Sequence, residues 1–332
     1  MHIAGALLAV AAAGGPAAGP ADAPTVMPTR FEAGHFFAVP RTVDGQGLRL
    51  IVDTGGGGGA GLYWLSGATA QRLGLKTSRC TIGGERLEVA PLPRYAPGQG
   101  LPAPESPCGP VLLVNAQFRP NAASGDGQLG AGYLPGRVWT FDYPARRLVL
   151  EPPAWQPDPA AHATPLGFRR DAKGHLESGF PRLTIRVDGQ PLDMLLDTGA
   201  TAHPTAAGKK ASGTPTVGGY GVTSYITTSM LEHWHQAHPD WRVVDQGDDL
   251  FGPTHATRLI RVPAVEIAGW SVGPVWFTER PDRAFHVFMS SMMDKRVEGA
   301  VGGNVFGHFA MTIDYPHEKV YFRCRKGCRA AR

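Results

Sequence analysis

The chain has no Cys-x-x-Cys pair, no G-x-x-x-x-G-K-[ST] phosphate loop, no later apolar run long enough to cross a bilayer, and no large excess of either charge. The first absence weighs against a zinc site built from all four cysteines, and the second against a P-loop nucleotide enzyme. The third leaves only Ile3 to Ala13, a run too short to span a membrane, so stable membrane insertion is not expected. The formal charge of +4 on 332 residues does not mark a nucleic-acid surface. The basic residues at the very end, Arg323, Arg325, Lys326, Arg329 and Arg332, read as a solvated tail rather than a site for an acidic partner.

Glycine and proline are plentiful, 44 and 30 residues, and hydrophobic residues make up 42%. That composition suits many short strands joined by turns better than a helical bundle, and it allows a sizeable core. The opening segment, residues 1–23, reads as a signal peptide with a weak basic start, which places the protein outside the cytoplasm, periplasmic or secreted. Four cysteines allow three pairings; sequence neighbours are the natural choice, Cys80 with Cys108 and Cys324 with Cys328. Both features point to export.

The stretch that organises the chain is Leu195-Leu196-Asp197-Thr198-Gly199-Ala200-Thr201, an apolar run that delivers a carboxylate into a tight turn. The same device occurs at Leu50-Ile51-Val52-Asp53-Thr54-Gly55, 144 residues earlier. A single Asp-Thr-Gly is an ordinary turn tripeptide. Here the flanks repeat as well: Val43-Asp44-Gly45-Gln46 answers Val187-Asp188-Gly189-Gln190. Farther on, Thr140-Phe141-Asp142-Tyr143-Pro144 answers Thr312-Ile313-Asp314-Tyr315-Pro316 at a spacing of 172. The repeat is too long for a solenoid and long enough for a lobe, giving a first lobe over 25–152, a linker over 153–163 and a second lobe over 164–328.

Two carboxylates about 3 Å apart cannot both ionise readily, so they hold one proton between them. One member is then a base and the other an acid, which is what amide hydrolysis by activated water requires. Gly55 and Gly199 would let backbone and substrate approach the carboxylates and would permit turn angles closed to other residues. Thr54 and Thr198 would hydrogen-bond buried backbone groups and fix the loops.

On Asp53-Thr54-Gly55, Asp197-Thr198-Gly199-Ala200-Thr201 and the later Leu129-Gly130 and Val301-Gly302, the chain resembles the retropepsin-like and pepsin-like aspartic proteases. The resemblance covers most of the chain after the leader. It implies an all-β, bilobal fold of two β-barrel-like lobes, each giving one aspartate to a cleft. It also implies a peptide or protein substrate lying under a hairpin flap, and catalysis by Asp53 and Asp197 with no cofactor. A monomer is expected, and no nucleic-acid partner. The sequence departs from the family at Gly56, where Ser, Thr or Ala is usual, and at Gln128, where an apolar residue is usual. The flap could be the turn at Gly83-Gly84 or the one at Gly218-Gly219-Tyr220-Gly221.

A non-catalytic peptide-binding protein on the same fold fits the duplication too. Gly56 to Gly61 fits G-x-G-x-x-G, but Asp53-Thr54 intervenes after the strand and the following helix is short, so no dinucleotide site is expected. His233, His235 and His238 lie on or beside a helix, where exposed histidines need no metal to explain them. Trp64, Trp139, Trp270 and Trp276 read as core, and residues 204–221 as a mobile loop.

Overall fold

The computed structural model describes residues 23–57, 61–104 and 106–331; the leader expected over 1–23 lies outside them but for its last residue. Strands dominate, and the regular helices are short, the longest being Thr228–Ala237. The fold is the all-β, two-lobed arrangement expected from the duplicated sequence.

In the first half, eight strands lie side by side in the order Thr29–Glu32, His35–Ala38, Leu50–Asp53, Gly127–Gly130, Trp64–Ser66, Val111–Asn115, Glu85–Pro91, Ser78–Ile82. The second half repeats the series from its second member. Across the sheet run Arg182–Val187, Gln190–Leu196, Gly299–Val301, Ser224–Thr227, Val275–Arg280, Thr257–Val262 and Val243–Asp248. The directions repeat too. Leu50–Asp53 runs parallel to Gly127–Gly130, and Gln190–Leu196 parallel to Gly299–Val301, while each later strand pairs with the corresponding antiparallel or parallel neighbour. Leu50, Ile51 and Val52 are all buried, the pattern of a central strand covered on both faces.

A third sheet joins the halves. Its order is Thr25–Val26, Arg147–Leu150, Val138–Asp142, Phe309–Asp314, Lys319–Cys324, His162–Pro165, so the two repeats of the Asp-Tyr-Pro element pair with each other at its centre. Thr140 lies opposite its own counterpart Thr312, their hydroxyls 2.8 Å apart. One apolar core runs beneath, taking Val52, Leu129 and Trp139 from the first half and Leu196, Val301 and Met311 from the second.

Several expectations need correction. Among the described residues the sheets are open rather than closed barrels, because each ends in edge strands such as Ser78–Ile82 and Val243–Asp248 that do not return to its far side. Residues 204–221 are not a structureless loop: Ala206–Ser212 is a helix, capped by the Thr205 side chain accepting from Gly208 N and closed by Gly213 in the left-handed region. Gly208 has no room for a side chain, since a Cβ would lie 1.9 Å from the Gly247 carbonyl oxygen. The terminal arginines are not simply solvated. Arg323 pairs with Asp158, Arg325 reaches Asp142 at 3.5 Å, and Arg329–Ala330 forms a strand against Trp270–Val272. Of the four tryptophans, Trp139 and Trp64 are buried, whereas Trp270 and Trp276 are only half-buried. Cys80 is bonded to Cys108 and Cys324 to Cys328.

Candidate active site

Each Asp-Thr-Gly turn follows the end of a buried strand. Asp53 lies opposite Gly130 on the parallel neighbour, and Asp197 N donates to the Val301 carbonyl at 2.9 Å. The duplicated apolar-Gly elements thus hold the two loops. A Cβ on Gly130 would meet the Gly56 carbonyl oxygen at 2.2 Å, and one on Gly302 the Thr223 carbonyl oxygen at 1.8 Å. Only glycine lets the strand and the loop approach this closely.

The loops interlock through their threonines, both fully buried. Thr54 Oγ1 donates to the Leu196 carbonyl at 2.6 Å and accepts from Thr198 N at 3.0 Å. Thr198 Oγ1 donates to the Val52 carbonyl at 2.8 Å and accepts from Thr54 N at 3.1 Å. Four backbone groups that strand pairing leaves over are satisfied by two hydroxyls, each from the opposite half.

This clasp brings the carboxyl groups of Asp53 and Asp197 together within hydrogen-bonding reach. One oxygen of each is held alike: Asp53 Oδ1 accepts from Gly55 N, and Asp197 Oδ1 from Gly199 N, each at 2.9 Å. The reason for glycine at 55 and 199 is closeness rather than turn angle, since neither has a positive φ. A Cβ on Gly55 would lie 2.3 Å from Asp197 Cγ, and one on Gly199 would lie 2.1 Å from Asp53 Cγ.

Burial pushes the Asp53 carboxyl above the ordinary range, opposed by the contact with Asp197 and by the backbone N–H groups of Gly55, Gly199 and Gly56. Burial pushes Asp197 well above it, and the neighbouring Asp53 charge adds to the rise. A pair so placed retains a proton where an exposed carboxyl has lost its own.

Residues that the motif does not contain complete the site. Gln128 Nε2 donates to Asp53 Oδ2 at 2.7 Å. Its place before Leu129-Gly130 and its polar character were the available signals. Tyr225 braces the second loop, its hydroxyl donating to the Thr201 carbonyl at 2.5 Å and accepting from Thr201 N at 2.8 Å. His35, from the first half, reaches Thr201 Oγ1 at 3.1 Å; burial holds its pKa down to about 4, so the ring is neutral. Tyr143 and Tyr315, the duplicated Asp-Tyr-Pro tyrosines, lie buried beneath the pair. Burial raises both, helped crosswise by the charge of Asp197 on Tyr143 and of Asp53 on Tyr315. No sequence pattern marked Tyr225 or His35, because their partners are distant in the chain.

Ala200 is buried behind Asp197, and its carbonyl accepts from Thr223 N at 3.1 Å. His203 bonds Asp249 and stands beside Tyr220 rather than on the carboxyls. His238 bonds Asp188 and stacks on Trp241. The glycine run after Asp53 is packed as far as Gly57: Gly56 and Gly57 carbonyls accept from Ala131 N at 3.0 Å and Gly132 N at 3.3 Å. The Gly83-Gly84 turn borders a cavity of about 590 Å³ that Phe180, Ser178 and Met292 of the second half also line. The other glycine turn packs elsewhere, with Gly218 against Ala122.

No family model matches the chain, and no curated protein matches it. Among solved structures it is similar to the aspartic proteinase from Irpex lacteus, with 10% identity and a TM-score of 0.47, covering 92% of this chain and 98% of that one. It is also similar to the Basic 7S globulin from soybean, with 12% identity and a TM-score of 0.44, covering 90% of this chain and 94% of that one.

Proposed function

We propose that the chain is an exported aspartic-type endopeptidase in which Asp53 and Asp197 activate water between them. The observation that carries this reading is the reciprocal threonine clasp, which holds two carboxyls, Asp197 buried and Asp53 half-buried, against each other from opposite halves of the chain. Preorganisation of that kind is what general acid–base catalysis by a shared proton demands.

In the reaction, the ionised carboxylate takes a proton from water as the water oxygen attacks the scissile carbonyl carbon. The protonated carboxyl donates to the carbonyl oxygen, giving a tetrahedral diol. Collapse of the diol breaks the C–N bond: the carboxyl that took the water proton delivers it to the leaving nitrogen, the other carboxylate takes a proton back from a diol hydroxyl, and the pair is left sharing one proton again. Every bond change is served by these two groups, so the reading calls for no cofactor. The Gly83-Gly84 hairpin is the flap in this proposal, because its tip borders the cavity shared with the second half. The signal-like leader and the two disulfides support export.

The test is cleavage of an unbiased peptide library from pH 3 to 8 by the purified chain, beside Asp53→Asn and Asp197→Asn. Loss of about 10³-fold or more in both variants is expected. A wild type that binds peptides without cleaving them would overturn the enzyme reading in favour of a peptide-binding protein.

A further inference from the structure

The two halves treat their aspartates differently, and the difference lies in two positions that act as one. Gln128 sits on the strand Gly127–Gly130 opposite Ile51; the corresponding place in the second half, opposite Leu195, holds Ala300. The amide of Gln128 donates to Asp53 Oδ2 at 2.7 Å, whereas the methyl of Ala300 can donate nothing. Among the described residues, Asp197 receives no such side-chain amide.

Gly56 is what makes room. A Cβ there would lie 2.4 Å from Asp53 Oδ2 and 2.6 Å from Gln128 Nε2. Its counterpart behind Asp197 is Ala200, which carries that carbon and is buried. Removing one carbon at 56 and adding an amide at 128 are therefore a single change, confined to the first half. Gln128 is 7% exposed, so water competes little for its hydrogen bond.

We propose that Gly56 and Gln128 form a positioning device that keeps Asp53 as the ionised member of the pair and leaves the shared proton on Asp197. This rests on the aspartic-hydrolase reading above, and it assigns the general base to Asp53 and the general acid to Asp197. An amide N–H stabilises a carboxylate and does nothing for a protonated oxygen that must itself donate. With Gly55 N on Oδ1 and Gln128 Nε2 on Oδ2, both oxygens of Asp53 accept hydrogen bonds from outside the pair. The other titratable groups around the pair do not oppose the assignment. Tyr143 and Tyr225 face Asp197, Tyr315 faces Asp53, and all three are driven towards their neutral forms by burial. His35, behind Gly199 and Ala200, has its pKa held down to about 4 by burial, so it is neutral at pH 7, and its titration is common to wild type and every variant compared.

The experiment compares wild type, Gln128→Leu, Gly56→Ala and the double variant, by the pH profile of peptide cleavage and by ¹³C-carboxyl titration of the two aspartates. Activity rises with pH as the base ionises, so loss of the amide should move this acid limb upward by about one pH unit. One unit below the wild-type limb, cleavage then falls about tenfold, while the optimum changes less. Gly56→Ala should give the same shift by displacing the amide, and the double variant no further shift. A residue that only supported the fold would lower the rate evenly at every pH. An unmoved acid limb, or one moved downward as it would be if the amide oxygen accepted a proton from Asp53, would overturn the assignment. The carboxyl titration needs no substrate. If wild type cleaves nothing but Asp53 still titrates higher without Gln128, the function reading fails and the device stands; cleavage with an unshifted profile means the reverse.

Discussion

The first and second halves share a strand order, an interlocking loop and a pair of motif glycines, yet differ in what stands behind each aspartate. Behind Asp53 are Gly56 and the Gln128 amide; behind Asp197 are Ala200 and Ala300. The shared features concern holding the carboxyls in contact, where each half must present the same surface to the other. The difference concerns which carboxyl keeps the proton, and there symmetry would be a disadvantage, because an acid and a base are both needed.

The symmetric part can be broken most severely at the glycines. Gly55→Ala and Gly199→Ala should each abolish peptide cleavage and destabilise the chain by about 1–3 kcal/mol, because either new carbon lands on the opposite carboxyl. Urea unfolding and the library assay read both losses. Marked tolerance of one substitution and not the other would show that the halves do not approach each other as evenly as the contacts indicate.

The clasp is tested through stability, with the carboxyls themselves left in place. Thr54→Val leaves Thr198 N–H and the Leu196 carbonyl unpartnered, and Thr198→Val leaves Thr54 N–H and the Val52 carbonyl. Each should cost about 2–4 kcal/mol in urea unfolding, nearly equally, while Thr→Ser at either position should recover most of the loss.

The smallest expected effect concerns pH. Both aspartates have folded-state pKa values raised above the unfolded carboxyl value. The folded chain therefore holds more protons than the unfolded chain above that value, and stability falls as pH rises through the window up to the raised pKa. Asp197→Asn breaks the pair and relieves this penalty. Its thermal midpoint should exceed that of wild type by about 2 °C or more at pH 7, with the difference closing at pH 3.5. Asp53→Asn breaks the same pair and should raise the midpoint in the same direction; no gain at pH 7 in either variant would contradict the raised pair.

Much of this was legible in the chain itself. Strands such as Leu50–Asp53 and Arg182–Val187 announce themselves by apolar runs or alternation, and the glycine turn between Ile82 and Glu85 by its residues. The helix Ala206–Ser212 was missed because a short Gly- and Lys-containing segment has no periodicity to read, and its formation depends on Gly208 packing on Gly247. The half-exposure of Trp270 and Trp276 likewise depends on which surfaces the other elements happen to cover.

What the sequence determined by itself was the duplication, the two Asp-Thr-Gly turns at strand ends and the neighbour-wise cysteine pairing, since these follow from local pattern and short-range closure. Only the tertiary structure decided that Thr54 would clasp Leu196, that a methyl on Gly199 would strike Asp53, and that Gly56 and Gln128 were one feature. Contacts of this kind join residues far apart in the chain, and their geometry is set by how whole sheets pack, which no local pattern encodes.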